Sequence, residues 1–367
     1  MTEPEPLQMV GDNQVRWRNR TLVCFSGCDY FRLARHPAVA SAARVALEKN
    51  PLNVAASRLT TGNHEIYAQL EKALAAFFGS EAALVFPDGY LAPLAVAQAL
   101  AGEFSHAFID EFAHAALADA ARMLNCPVKT FAHRDASALA RGLSKLDKRA
   151  RPLVLTDGMF SHDGSTAPLS EYLKILPRPG MILVDDAHGA GVLGGKGRGA
   201  LEHAGVGRAR IIQCATLSKA FGVYGGVVLG TRALRAKILT RSRLFAGSTP
   251  LPPPLAAAAL AALNILRRDP TRRKRLFRNV SFLRDRLRRA AWEISETPGP
   301  IVRLPLMNAA AANDLKKRLL AAGIYPPFLK YGKASAAGFF RFVISSEHTR
   351  TQLEKVAAVL AGFRSET

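Results

Sequence analysis

The chain is predicted to be an α/β protein, with a large domain on a mostly parallel seven-stranded sheet and a smaller α+β domain after it. Three observations carry that prediction. Seven short apolar runs, "AALVF" (82–86), "HAFID" (106–110), "PVKTF" (127–131), "PLVLTD" (152–157), "MILVDD" (181–186), "RIIQCAT" (210–216) and "GGVVLG" (225–230), are spaced by helical stretches. Runs of that length between helices mark strands covered on both faces. The proline-rich "GSTPLPPPL" (247–255) ends the alternation, and the chain beyond it has a different pattern.

In order, "HEIYAQLEKALAAFF" and "AHAALADAARML" read as covering helices. Beyond the prolines come a long helix and the arginine-rich "LRRDPTRRKRLFRNVSFLRDRLRRAAWEI", in which Leu276, Val280, Leu283 and Leu287 recur at helical spacing. After "PGPIVRLPL" a helix spans about Ala309–Ala322, "GFFRFVIS" is a strand, and "TRTQLEKVAAVLAGF" closes the chain as a helix. The boundaries expected are an N-terminal segment 1–45 packing with the small domain, a large domain 46–265 and a small domain 266–367.

Composition bounds the function. At 367 residues and 49% hydrophobic content the chain can bury a sizeable core. Its opening "MTEPEPLQMVGDNQ" is acidic, unlike a secretory signal, and its longest apolar runs are too short to span a bilayer. Cys24, Cys28, Cys126 and Cys214 have no zinc-ligand spacing, so no metal is expected, and they read as reduced thiols of a cytoplasmic protein. Much of the net charge of +21 lies in the arginine-rich stretch. Its apolar periodicity makes that stretch an amphipathic helix with a solvated basic face, and no stacking-aromatic or helix-turn-helix signature argues for nucleic acid.

Chemistry concentrates in two segments. "ILVDDAHGAG" puts Asp185, Asp186 and His188 at the C-terminal end of a strand, where α/β sheets bind ligands. "TLSKAFGVYGG" surrounds Lys219 with Thr216, Ser218 and glycines suited to tight turns and close approach. A lysine able to form a Schiff base, together with a carboxylate that keeps a pyridine nitrogen protonated, is what pyridoxal phosphate chemistry requires. "PDGYLAP" adds a helix start at Gly89 and Tyr90 suited to phosphate.

Together with "FSGCDYFRLARHPAV", "SRLTTGNHEIYAQLEKALAAFFGSEAALVF", "DEFAHAAL", "DGMFSHDGSTAPL", "STPLPP" and "FRFVISSEHT", these segments resemble, in order and over nearly the whole chain, the α-oxoamine synthase family. The likeness is strongest to its biotin-pathway branch. It implies a fold-type I, aspartate-aminotransferase-like pyridoxal-phosphate transferase that condenses a small amino acid, L-alanine favoured, with an acyl-CoA or acyl-carrier thioester and releases carbon dioxide. Another fold-type I reaction, such as transamination, or a glycine-using condensation stays open. The resemblance implies that Lys219 links to the cofactor, Asp185 pairs with the ring nitrogen, His188 bonds the ring oxygen and His114 stacks on the ring. It also implies cofactor contacts for Ser161, Thr216, Ser218, Gly89 and Tyr90. Thr249 would reach the phosphate bound by a neighbouring subunit, giving a homodimer with shared active sites, and Arg341 would clamp the substrate carboxylate. The chain departs from the family's pattern at Ala55 and Ala56, where glycines are usual, at Cys28 and Arg32 in "GCDYFRL", and in "PPFLKYGKAS", which lacks a threonine.

Overall fold

The computed structural model describes residues 5–330 and 338–366; the "YGKAS" half of "PPFLKYGKAS" lies outside them. The chain forms two compact units. One comprises residues 33–160 and 165–270, the other residues up to Arg32, 161–164 and 271 onward. The breaks therefore fall at 32/33 and 270/271, not at 45/46 and 265/266. The reason is local: the helix Pro37–Lys49 packs on the helix Pro253–Arg268, which holds it in the larger unit.

In the smaller unit, strands β1 (Gln8–Gly11), β2 (Gln14–Trp17) and β3 (Arg20–Cys24) form an antiparallel meander. The larger unit holds β4 (Ala82–Phe86), β5 (His106–Asp110), β6 (Val128–Phe131), β7 (Pro152–Asp157), β8 (Met181–Asp185), β9 (Ile211–Thr216) and β10 (Gly226–Gly230). These make one seven-stranded sheet in the order β4-β10-β9-β8-β7-β5-β6, parallel except for β10, which pairs antiparallel with both neighbours. Every residue of β7 and β9 is buried, as expected of strands with helices on both faces. The covering helices start and stop on local signals. The helix Glu65–Phe78 begins where His64 Nδ1 accepts the Ile66 N–H at 3.2 Å and ends at Gly79 in the left-handed conformation.

The smaller unit continues with β11 (Ile301–Arg303), β12 (Ile324–Tyr325), β13 (Phe328–Leu329) and β14 (Phe339–Val343). Strand β12 joins the N-terminal meander in parallel with β3, while β14 lies between β11 and β13. Leu276, Val280, Leu283 and Leu287 of the helix Thr271–Arg289 are all buried. Its basic face is not wholly solvated: Arg284 is also buried and donates to the carbonyls of Thr297, Gly299 and Ile301. Burial lowers its pKa to about 10. None of the helices among the described residues is long and apolar enough to cross a membrane.

Two of the departures from the family's pattern leave a mark on the backbone. Ala55 has φ 50° and Arg32 has φ 52°. Both hold the left-handed conformation that glycine adopts freely and L side chains avoid.

Candidate active site

Parallel strands deliver their C-terminal ends to one edge of a sheet, and side chains at the same register point to the same face. Asp157 at the end of β7 is in register with Asp185 at the end of β8. The two lie in a cavity of about 230 Å³ lined also by Asp88, Gly89, Tyr90, His114, His188, Thr216, Ser218 and Lys219. Eight residues singled out from sequence are thus brought together: Gly89, Tyr90, His114, Asp185, His188, Thr216, Ser218 and Lys219.

Local structure explains each position. Lys219 is half-buried in the turn between β9 and β10, whose Gly222 N–H bonds back to the Lys219 carbonyl at 2.9 Å. Gly222 is required there: its φ is 64°, and a Cβ would lie 2.3 Å from the Ala34 nitrogen. Thr216 Oγ1 donates to the Gly225 carbonyl at 3.0 Å and accepts the Ser218 N–H at 3.1 Å, which fixes the approach to the lysine. Gly89 lets the chain pass close to this strand, since a Cβ would sit 2.7 Å from that of Thr216. Tyr90 precedes the helix Leu91–Ala99 and makes no side-chain cap bond, although Asp88 Oδ1 accepts the Leu91 N–H at 2.9 Å. The Tyr90 hydroxyl bonds the Asp119 carboxylate.

His114 is the N-cap of the helix Ala115–Met123, and its Nδ1 accepts the Ala116 N–H at 3.2 Å, so the neutral ring carries its proton on Nε2. Its backbone N–H donates to Asp157 Oδ1 at 2.9 Å. Burial pushes the His114 pKa down, with Asp185 opposing the shift. His188 is buried and lines the same cavity. Asp185 Oδ1 accepts the Ala187 N–H at 3.0 Å.

Three expected residues are not among the cavity's lining residues. Ser161 and Arg341 belong to the smaller unit, where Arg341 Nη1 donates to the Ser161 carbonyl at 2.8 Å. Thr249 is exposed and is not part of the cavity lining. Asp157 was missed from sequence: like Asp185 it is an acid at the C-terminal end of an apolar strand, and its register with Asp185 is what sets it apart.

These residues fit pyridoxal phosphate. The cavity offers an amine, a buried carboxylate, two imidazoles and, at Gly89 and Tyr90, the start of a helix for an anionic group. The fold and this lining define a fold-type I pyridoxal-phosphate-dependent transferase. The comparisons give the family: residues 23–360 match aminotransferase class I and II, and the chain belongs to that family. It is 37% identical to the 8-amino-7-oxononanoate synthase of Methylococcus capsulatus, covering 92% of this chain and 88% of that protein. Among solved structures it resembles a serine palmitoyltransferase from S. paucimobilis with a bound PLP–myriocin aldimine, with 27% identity, a TM-score of 0.92, and coverage of 100% of this chain and 94% of that one. It also resembles the 8-amino-7-oxononanoate synthase of Francisella tularensis, with 27% identity, a TM-score of 0.81, and coverage of 94% and 98%. The chain is an enzyme, a pyridoxal-phosphate-dependent acyltransferase of the α-oxoamine synthase kind.

Proposed function

We propose that this enzyme joins a small amino acid, L-alanine first, to an acyl thioester, releasing the thiol and carbon dioxide and giving an α-oxoamine as 8-amino-7-oxononanoate synthase does. The observation that carries the reading is the likeness to synthases of that name over nine-tenths of the chain. When bound, pyridoxal phosphate supplies an aldehyde that links to amines and a ring that accepts the electron pair left at the substrate's Cα.

The chain's own residues do the rest. Lys219 would hold the aldehyde, and its Nζ would carry the proton to and from the substrate's Cα. Asp185 sets its negative charge against the ring nitrogen and keeps it protonated. His188 would hydrogen-bond the ring oxygen and His114 would stack on the ring. Thr216, Ser218 and the backbone at Gly89 and Tyr90 cradle the phosphate, and Thr249 serves the phosphate of a second copy in a homodimer. Arg341 offers its planar fork to the substrate carboxylate, with Ser161 beside it.

A second reading, condensation with serine or glycine, is favoured by the serine palmitoyltransferase neighbours, whose TM-score of 0.92 exceeds the 0.81 of the F. tularensis synthase. Transamination would need no thioester.

Two measurements test the proposal. Borohydride trapping of the cofactor-loaded protein and peptide mapping should label Lys219, and a label on any other lysine refutes the assignment. Thiol release from a pimeloyl thioester should depend on added amino acid and run fastest with L-alanine. Release that ignores the amino acid sinks the condensation, and faster release with serine or glycine moves the enzyme to the second reading.

A further inference from the structure

We infer that Asp157 is the proton-holding partner of Asp185, a neutral acid that leaves Asp185 as the anion of the pair and positions His114 through its backbone. The inference rests on the reading that Asp185 faces the cofactor nitrogen.

Strands β7 and β8 are adjacent and parallel, and Asp157 pairs in register with Asp185. Neighbouring strands lie about 4.8 Å apart, and in-register side chains project to the same face. Both acids line the cavity and both are buried, Asp157 at 4% exposure and Asp185 at 7%. Two carboxylates so placed cannot both ionise freely, and their environments decide which one keeps the proton.

The groups facing Asp157 come from every neighbouring element: Asp110 from β5, His114 from the following helix start, Asp185 from β8 and Lys219 from the turn after β9. His188 lines the same cavity, and Lys219 is the one ammonium among the lining residues. Two of these neighbours are acids, and the lysine is committed to the cofactor. Burial, and after it the charge of Asp185, pushes the Asp157 carboxyl well above the usual range.

The hydrogen bonds fit a neutral acid. Oδ1 accepts the His114 N–H at 2.9 Å, and Asp157 makes no other side-chain hydrogen bond among the described residues. One oxygen thus anchors the turn that presents the His114 imidazole, and the other is left to carry the proton. His114 is then fixed twice, by Asp157 on its backbone and by Ala116 N–H on its ring.

Asp157→Asn copies the shape and acceptor of the neutral acid and removes its ability to ionise. The experiment compares wild type, Asp157→Asn and Asp185→Asn, each titrated with pyridoxal phosphate, and then follows the visible band of each loaded protein as a function of pH. Asp157→Asn should bind the cofactor within about threefold of wild type. The wild-type band should titrate over a broadened range, because ionisation of Asp157 would place a second charge near the cofactor linkage, whereas Asp157→Asn should give a single one-proton curve.

A loss of affinity of about tenfold or more in Asp157→Asn, with its melting temperature unchanged, overturns the inference, since the anion would then be needed. Coincident pH curves also overturn it, because an acceptor serving only the His114 N–H would leave the titration unmoved. If Asp185→Asn leaves the band as in wild type, the reading of Asp185 falls and this inference falls with it. If Asp185→Asn changes the band while the Asp157→Asn curve matches wild type, only this inference falls. Should Asp157→Asn fail to fold, infrared difference spectra of the loaded wild type decide the matter: a protonated-carboxyl stretch at neutral pH that vanishes in strong alkali supports the assignment, and its absence refutes it.

Discussion

Asp185 and Asp186 are consecutive, yet they serve opposite regions at the end of β8. Asp185 enters the cavity among His114, His188 and Lys219. Asp186 turns into the protein, where its Oδ2 accepts Gln213 Nε2 at 2.6 Å and the Ala200 N–H at 2.9 Å. Three glycines crowd its carboxyl: a Cβ would lie 1.8 Å from it at Gly199, 2.1 Å at Gly189 and 2.5 Å at Gly158. The same residue type one position apart thus lines the cavity on one side and pins the backbone on the other. The difference comes from what surrounds each carboxylate, and residue identity alone does not carry it.

Substitutions at the two acids put that contrast at greatest risk. Asp185→Asn should lower turnover by about 10³-fold or more, roughly 4 kcal/mol of barrier, and leave the melting temperature nearly unchanged. Asp186→Ala should do the reverse, costing about 2 kcal/mol or more of stability through the stranded Gln213 and Ala200 donors while cofactor still binds. Equal effects on activity and melting in both variants would erase the distinction.

Glycine substitutions carry the test to the neighbours. Gly199 has φ 91°, so Gly199→Ala meets both strain and the Asp186 carboxyl. It should destabilise by about 2–3 kcal/mol. Gly89→Ala, pressed on Thr216 beside the cavity, should show first as weakened cofactor affinity in an absorbance titration.

Acidity provides a further test. Burial raises the Asp186 carboxyl from 3.8 to about 7. The folded chain therefore keeps a proton there that the unfolded chain releases, and this group's contribution to stability falls as pH rises from about 4 to about 7. Wild type minus Asp186→Asn in melting temperature should decline across that window, and a flat difference would refute the buried, proton-retaining account. The smallest effect is expected at Ala55, where Ala55→Gly relieves the left-handed backbone and should stabilise by about 1 kcal/mol or less in urea melts.

Much of this architecture was legible in the sequence because burial on both faces of a parallel sheet leaves unbroken apolar runs. The strands expected at 82–86, 106–110 and 152–157 match β4, β5 and β7 at both ends. Lys219 and Asp185 were legible because each stands in a segment whose small residues have no other use. The meander β1–β3 was not, since strands of four or five residues with exposed faces, such as "QMVG" and "QVRW", carry too little alternation to stand out from loop. Asp157 escaped for a different reason. An acid at a strand end reads as a cap until the register with Asp185 is known, and register is a property of pairing that one strand does not encode. Arg284 looked like one more solvated arginine, because helical periodicity reports where leucines go and not which long cation folds back under the chain.

The pairing of β12 with β3 has a consequence for how the polypeptide is made. Asn13 Oδ1 accepts from Ser345 Oγ at 2.8 Å, and His348 Nε2 meets the Cys24 carbonyl at 3.1 Å, contacts separated by 332 and 324 positions. On the ribosome β1–β3 emerge about 300 residues before β12, the strand that completes their sheet. The central stretch can collapse while translation continues, whereas the smaller unit waits for the residues around Ser345 and His348. A nascent chain stalled near residue 270 should therefore already resist protease through its middle and still be cut at its beginning.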